Sequence, residues 1–294
     1  MSVVINTNVD SLKIQSILSN STSKLSQAME RMSTGLKVTS AKDDAAGTVI
    51  SARMAVQLDG NQIAQKNVQN GNAMLATAEG HLDVVQDNLV RIRDLALQAK
   101  NGTYSTEEIQ AMQDEVSERV EELTRINTSS QYSSLYLFND TNLQEHGVTF
   151  QVGANKDADN TISANQKIFG AVDFTSLTKE SASDTGLANF DLTNLTTAGT
   201  AAGSFAHALG KIDKAINNIT ERKSQIGSAQ NRLESALNTL TTQYENLSSA
   251  KSIITDADIA EEASQFTQQN ILQQVSTSLL AQANQAPSIA LSLV

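Results

Sequence analysis

The sequence predicts a mainly α protein: an elongated helical rod with paired terminal helices of coiled-coil type and a small β-hairpin or irregular central insert. Three observations carry that prediction. Aromatic residues make up 4% of the 294, Trp is absent and Pro occurs once, a composition that suits long uninterrupted helices better than a compact catalytic core. Apolar residues recur at alternating spacings of three and four over most of the chain, the period of a helix with one stripe turned to a partner. Finally, although the net charge is −11, no residue from Ala263 to Val294 has a formally charged side chain.

Taken in order, the first 36 residues place Val4, Leu18, Leu25 and Met32 at multiples of seven, with Ile14 and Ala28 between them, which predicts a terminal helix. A long helix follows from Asp43 to Lys100. Its start is signalled by Ser40 and by the negative charge of Asp43 and Asp44 in the first turn, and its stop by Asn101 and Gly102. Leu75, Ala78, Leu82, Val85, Leu89, Ile92, Ala96 and Ala99 form its stripe. Leu95 lies off that stripe and is expected to be exposed beside Arg91. Ser105 and Glu108 read as a capping box opening a shorter helix, Thr106 to Asn127, with Ile109, Met112, Val116, Leu123 and Ile126 on one face. The brief link between the two predicts an antiparallel pair.

Between Leu143 and Ser204 the periodicity weakens. VTFQVGAN reads as a short strand entering a turn, so a hairpin is expected from Val148 to Ile162, with the Thr/Gly/Ala-rich remainder as exposed loop or small irregular structure. From Leu209 the 3-4 rhythm returns and runs to Leu247, with Lys223 and Gln230 as polar exceptions. A helix of some 40 residues spans about 60 Å, so three such stripes predict a rod. In the tail, Leu272, Val275, Leu279, Ala286, Ile289 and Leu293 keep the same spacing. Two terminal helices that pair bury one stripe each and leave a second uncharged surface bare, a surface that meets other copies.

Several function classes drop out. Lys and Arg total 21 against 32 Asp and Glu, too few to cluster on phosphates, so no nucleic-acid partner is expected. Cys is absent, which removes disulfides, thiolate metal sites and Cys nucleophiles. The N-terminus lacks the basic start and apolar core of a cleaved secretory signal. The tail's Gln and Asn residues and Pro287 fall short of the ~20 apolar residues of a membrane span, so no membrane insertion is expected. His81, His146 and His207 are far apart and belong to no catalytic or metal motif. Asp256, Asp258, Glu261 and Glu262 read as the charged start of the last helix. Neither an enzyme, nor a metal, nor a cofactor is predicted.

The sequence resembles bacterial flagellin. The resemblance rests on INTNVDSL at Ile5 to Leu12, MERMSTGLKVTSAKDDAAG at Met29 to Gly47, TAEGHL at Thr77 to Leu82 and RIRDLALQAKNGT at Arg91 to Thr103. It continues with QVGAN at Gln151 to Asn155, QNRLES at Gln230 to Ser235, DADIAEE at Asp256 to Glu262 and LLAQANQAP at Leu279 to Pro287. Two departures stand out. QYSSLYL at Gln131 to Leu137 replaces a segment that commonly holds an Asn-Gly turn, and Ile253 stands where the family usually has Arg, removing a salt bridge.

The resemblance implies a flagellar filament subunit for swimming motility; the alternative is a hook-filament junction adaptor. It implies that residues 1–42 and 255–294 pair to form the inner tube, that 43–142 and 205–254 form the rod, and that 143–204 is a short exposed insert giving a thin filament. Ile5, Leu12, Leu18, Leu25, Leu272, Val275, Leu279 and Leu293 are then inner-tube interface residues. Arg91, Leu95 and Glu115 match positions that serve both subunit contact and the flagellin-sensing Toll-like receptor. The implied partners are other copies of the same protein, an export chaperone wrapping the tail, and the filament cap and hook-junction proteins. The implied location is the extracellular filament, reached through the flagellar type III apparatus without a cleaved signal.

Overall fold

The computed structural model describes residues 8–170, 192 and 201–291. Helices dominate: α1 (Val9–Thr34), α2 (Ala45–Ala99), α3 (Thr106–Ser129), α4 (Thr141–His146), α5 (Gln166–Phe169), α6 (Ala201–Thr255) and α7 (Ile259–Leu291). Short antiparallel ribbons lie between α3 and α5: β1 (Gln131–Tyr132) with β2 (Leu135–Tyr136), and β3 (Val148–Gln151) with β4 (Thr161–Ala164). The protein divides into two compact units, residues 60–243 and residues 1–59 with 244–294.

The 60–243 unit holds the core. Val68, Leu75, Leu82, Leu89 and Ile92 of α2, Val116 and Leu123 of α3, and Ile212, Ile219, Ile226 and Leu233 of α6 are all buried in one cluster. Each such residue contributes about 1.5–3 kcal/mol relative to exposure. The two polar exceptions on α6 sit at the rim of its contact with α2. Lys223 pairs with Asp83 and donates to Gln86, and Gln230 donates to Glu79. Arg93 of α2 likewise pairs with Asp213 of α6 at 2.7 Å. Burial of the stem with the head group at a rim is how long polar side chains enter an apolar stripe.

Helix starts follow their side-chain acceptors. Ser105 and Glu108 close the predicted capping box on α3. At α2 the expectation needs correction: the first turn holds no acid, because Asp43 and Asp44 both precede the helix. Asp44 Oδ1 accepts the Gly47 N–H at 2.9 Å as a cap, while the Asp43 carboxylate accepts bonds from Thr39 and Ser40. Those bonds, Thr39 first, hold the Asp43 carboxyl below its usual range. Two adjacent Asp residues before a helix compete for the capping role, and the one that reaches the free N–H groups takes it.

The hairpin pairs Val148 with Ala164 and Gln151 with Thr161, two residues beyond its predicted end. It rests on α2 where that helix has small residues. A Cβ added at Gly60 comes within 2.6 Å of the Ala154 Cβ, and one at Gly71 within 2.9 Å of the Phe150 ring. These glycines are eleven positions apart, three helical turns, and therefore on one face. Mid-helix Gly costs about 1 kcal/mol relative to Ala, so both mark a close approach of the hairpin backbone and ring.

In the QYSSLYL segment a two-residue turn survives without Asn-Gly. Ser133 takes the left-handed φ of 58°, a conformation costing roughly 1–2 kcal/mol outside Gly. The insert is less detached than expected: Leu192 is fully buried in the core, and its N–H donates to Gln113 Oε1 on α3 at 2.9 Å.

Candidate functional site

Two surfaces carry the functional candidates. The first is the terminal helix pair. α1 and α7 pack against one another, and their bonds fix an antiparallel register: Asn8 Nδ2 donates to the Ala283 carbonyl, Ser11 Oγ to Asn284, Gln273 Nε2 to Thr22, and Arg31 to Glu262. Beyond α1 the pairing continues through the Leu36 to Asp256 bridge and the Ala257 N–H to Gly35 carbonyl bond. Gly35 ends α1 in the left-handed conformation at φ 71°, which turns the backbone into that contact.

The α1 side of the seam consists of Ile14, Leu18, Ser21, Leu25 and Ala28, and the α7 side of Phe266, Gln269, Gln273, Ser276, Leu280 and Ala283, all buried or half-buried. Both rows keep 3-4 spacing. The small side chains of Ser21, Ala28, Ser276 and Ala283 let the two backbones approach closely. Leu18 and Leu25, both half-buried, therefore face the partner helix of their own chain. By contrast Leu12, Leu272, Val275 and Leu279 are exposed, at 62%, 39%, 48% and 45%. Ile5 and Leu293 lie outside the described residues. Leu272, Val275 and Leu279 of the tail's apolar stripe are thus left bare, while the offset row, rich in Gln and small residues, makes the intramolecular pair.

At the end of this seam Arg31 Nη1 meets Glu262 Oε1 at 3.0 Å, with the Glu262 side chain 7% exposed. The other carboxylate oxygen, Oε2, is buried without a hydrogen-bond partner. The acidic start of α7 is otherwise spent on its own backbone. Asp258 Oδ1 accepts the N–H groups of Ala260 and Glu261, and bonds from Ser252 and then Thr255 lower the Asp256 carboxyl. Ile253, in the position where the family usually has Arg, is 79% exposed.

The second surface is the charged contact between α2 and α3. Arg91 grips Glu115 with two bonds, Nε to Oε1 at 2.9 Å and Nη2 to Oε2 at 3.1 Å, and Arg119 adds a third while also donating to Asn88. Arg91 first, and then Arg119, hold the Glu115 carboxyl below its ordinary value, and the same contact raises Arg91. All three side chains remain about one-third exposed or more. Leu95 does not join them. It is buried in the core, contrary to its expected exposure, because α2 packs against two helices. A helix with two partners buries three to four positions per two turns, and Leu95 falls in that wider face.

Sequence reading alone passes over Gly60, Gly71, Leu192 and the Arg31–Glu262 pair. Only the two glycines leave a signal, as helix-disfavouring residues on one face; the others depend on pairings between distant segments.

Comparison with known proteins agrees at both ends of the sequence. The family profile for the bacterial flagellin N-terminal helical region matches residues 5–143, and that for the C-terminal helical region matches residues 209–294. The protein is 37% identical to the flagellin of Halalkalibacterium halodurans, covering 99% of this chain and 100% of that one. It is 36% identical to the flagellin of Bacillus subtilis, with 99% of each covered. Against the flagellar filament 33 kDa core protein of Treponema phagedenis the identity is 32%, over 99% of this chain and 100% of the other. A solved structure described as a putative flagellar hook-associated protein from Vibrio parahaemolyticus aligns with a TM-score of 0.58 at 17% identity, covering 72% of this chain and 99% of that one. That last likeness concerns the fold alone.

Proposed function

The chain belongs to the bacterial flagellin family, and from that premise we propose that it is the structural subunit that polymerises into the flagellar filament for swimming motility. The observation that carries the reading is the bare stripe of Leu272, Val275 and Leu279 on a helix already paired along its other face. Each of these part-exposed side chains gains on the order of 1 kcal/mol when a neighbouring copy covers what remains in water. The partner is therefore a second copy of the same protein, and the place is the extracellular filament. The family is structural, so no reaction is assigned.

The finer assignments extend that reading. The α1–α7 pair lines the inner tube; α2, α3 and α6 form the surrounding rod; the insert lies outermost. Before assembly the same tail stripe is covered by the export chaperone, since it is an uncharged surface that has to be kept from water. Export runs through the flagellar type III apparatus without a cleaved signal, and the polymer ends on hook-junction and cap proteins. Arg91 and Glu115 form a charged contact open to a neighbouring subunit and to the flagellin-sensing Toll-like receptor, with Leu95 supporting them from the core. Loss of signalling by soluble Arg91→Ala and Glu115→Ala variants is the expected result for the receptor contact, and full signalling by both removes it.

The hook-junction alternative has only a fold-level likeness behind it. Adding filament seeds to purified protein and imaging by electron microscopy separates the two. Micrometre-long polymers are expected; short rings that stop growing contradict the filament reading.

A further inference from the structure

The sequence contains two Asn-Gly pairs, Asn70–Gly71 and Asn101–Gly102, and the fold treats them in opposite ways. Asn70 and Gly71 lie in the middle of α2, where the Gly71 N–H belongs to the helical hydrogen-bond ladder. Gly71 is buried, with the Phe150 ring against it. Asn101 and Gly102 lie in the link between α2 and α3, both exposed. The Asn101 N–H donates to the Gln98 carbonyl and its own carbonyl accepts from Thr103, but the Gly102 N–H meets no backbone carbonyl among the described residues. Apart from Gly102 itself and its two chain neighbours, nothing lies within 4 Å of where a Gly102 Cβ would stand.

We propose that Asn101 is a site of spontaneous deamidation, and that the fold restricts the reaction to this one of the two pairs. Hydroxide removes the proton from the Gly102 amide nitrogen, which attacks Cγ, the amide carbon of the Asn101 side chain. A new N–Cγ bond closes a five-membered succinimide, and the bond from Cγ to Nδ2 breaks as ammonia leaves with a proton from water. Water then adds to either ring carbonyl. One opening leaves an ordinary aspartate at this position; the other leaves isoaspartate, in which the backbone runs through the former side chain. No oxidant or reductant takes part. The attack needs an amide nitrogen free of a hydrogen bond and a backbone free to rotate toward the side chain. The helix withholds both at Gly71, and the link grants both at Gly102.

The product places a new negative charge just past the C-terminal end of α2, the negative end of its dipole, and isoaspartate lengthens the α2–α3 link by one methylene. Conversion is irreversible without a repair enzyme, so the converted fraction increases with the age of the subunit.

The test is peptide mapping by mass spectrometry after incubating the full-length protein at mildly alkaline pH. Conversion at Asn101 is expected to outrun that at Asn70 by tenfold or more, the protection that ~1.4 kcal/mol of helix opening energy confers. In urea the two rates are expected to converge. Gly102→Ala, which fills open space and leaves melting unchanged, is expected to slow Asn101 alone. Equal folded-state rates, a difference that persists in urea, or undiminished conversion in Gly102→Ala each overturns the proposal.

Discussion

The two compact units solve the problem of burial differently. Between residues 60 and 243, rows of Leu, Ile and Val are wholly enclosed by α2, α3, α6 and the hairpin. In α1 the buried residues are only Ser21 and Ala28, while Val9, Leu12 and Ile17 and, on α7, Ile271, Leu272, Val275 and Leu279 stay exposed. The first unit contains its own reason to fold. Among the described residues the helix pair is held by a narrow seam, a few polar bonds and one ion pair, and most of the apolar area that rewards its ordering is left for neighbours to cover. Isolated helices are marginal in water without packing. The contrast therefore separates a part that is stable alone from a part whose stability is conditional on neighbours.

The largest expected break in this contrast comes from the core. Leu89→Ala removes a fully buried side chain and is expected to cost about 2–5 kcal/mol. Circular-dichroism melting detects it as a lower midpoint; an unshifted midpoint places Leu89 outside the cooperative unit. Next comes Arg31→Ala, which leaves the buried Glu262 carboxylate unpaired at about 1–3 kcal/mol. Its effect is expected in the helix pair alone, as faster hydrogen exchange in α1 with the core midpoint unchanged. Loss of both together denies the independence of the units.

Gly71→Ala is smaller. The added methyl forces the Phe150 ring aside, an overpacking penalty of about 1–3 kcal/mol offset by about 1 kcal/mol of helix propensity. Faster exchange at Val148 to Gln151 is the readout. The smallest effect belongs to the surface. Because Arg91 and Arg119 depress the folded Glu115 carboxyl, its contribution is present above the unfolded value of about 4.3 and lost as pH falls through the folded one. The midpoint difference between the parent protein and Glu115→Gln should therefore shrink on acidification below about pH 4. A difference that grows there reverses the sign of the argument.

Much of this is legible in the sequence, and the exceptions have physical causes. The 75 to 99 stripe, the Ser105 cap and the hairpin follow from local periodicity and hydrogen-bonding chemistry, which a linear reading sees. Leu95 departs from expectation because a single stripe describes a helix with one partner, and α2 has two. On α7, hydrophobicity alone selects the row of Leu272, Val275 and Leu279 for pairing, yet that row is exposed. The helices pair instead through the row carrying Ser276 and Ala283 and leave the richer row for neighbours. Leu192 and Glu262 depend on contacts more than 70 residues apart in sequence, which no local pattern encodes.

The central claim is that the bare tail stripe exists to join copies of the protein and contributes nothing to the core. Leu279→Asp tests it most directly, since the side chain is 45% exposed in the single subunit but an unpaired carboxylate buried at an interface costs several kcal/mol. Pelleting of seeded filaments and circular-dichroism melting are measured on the same preparation. The expected result is a parental melting midpoint with no pelletable polymer, and normal pelleting by Leu279→Asp contradicts the claim.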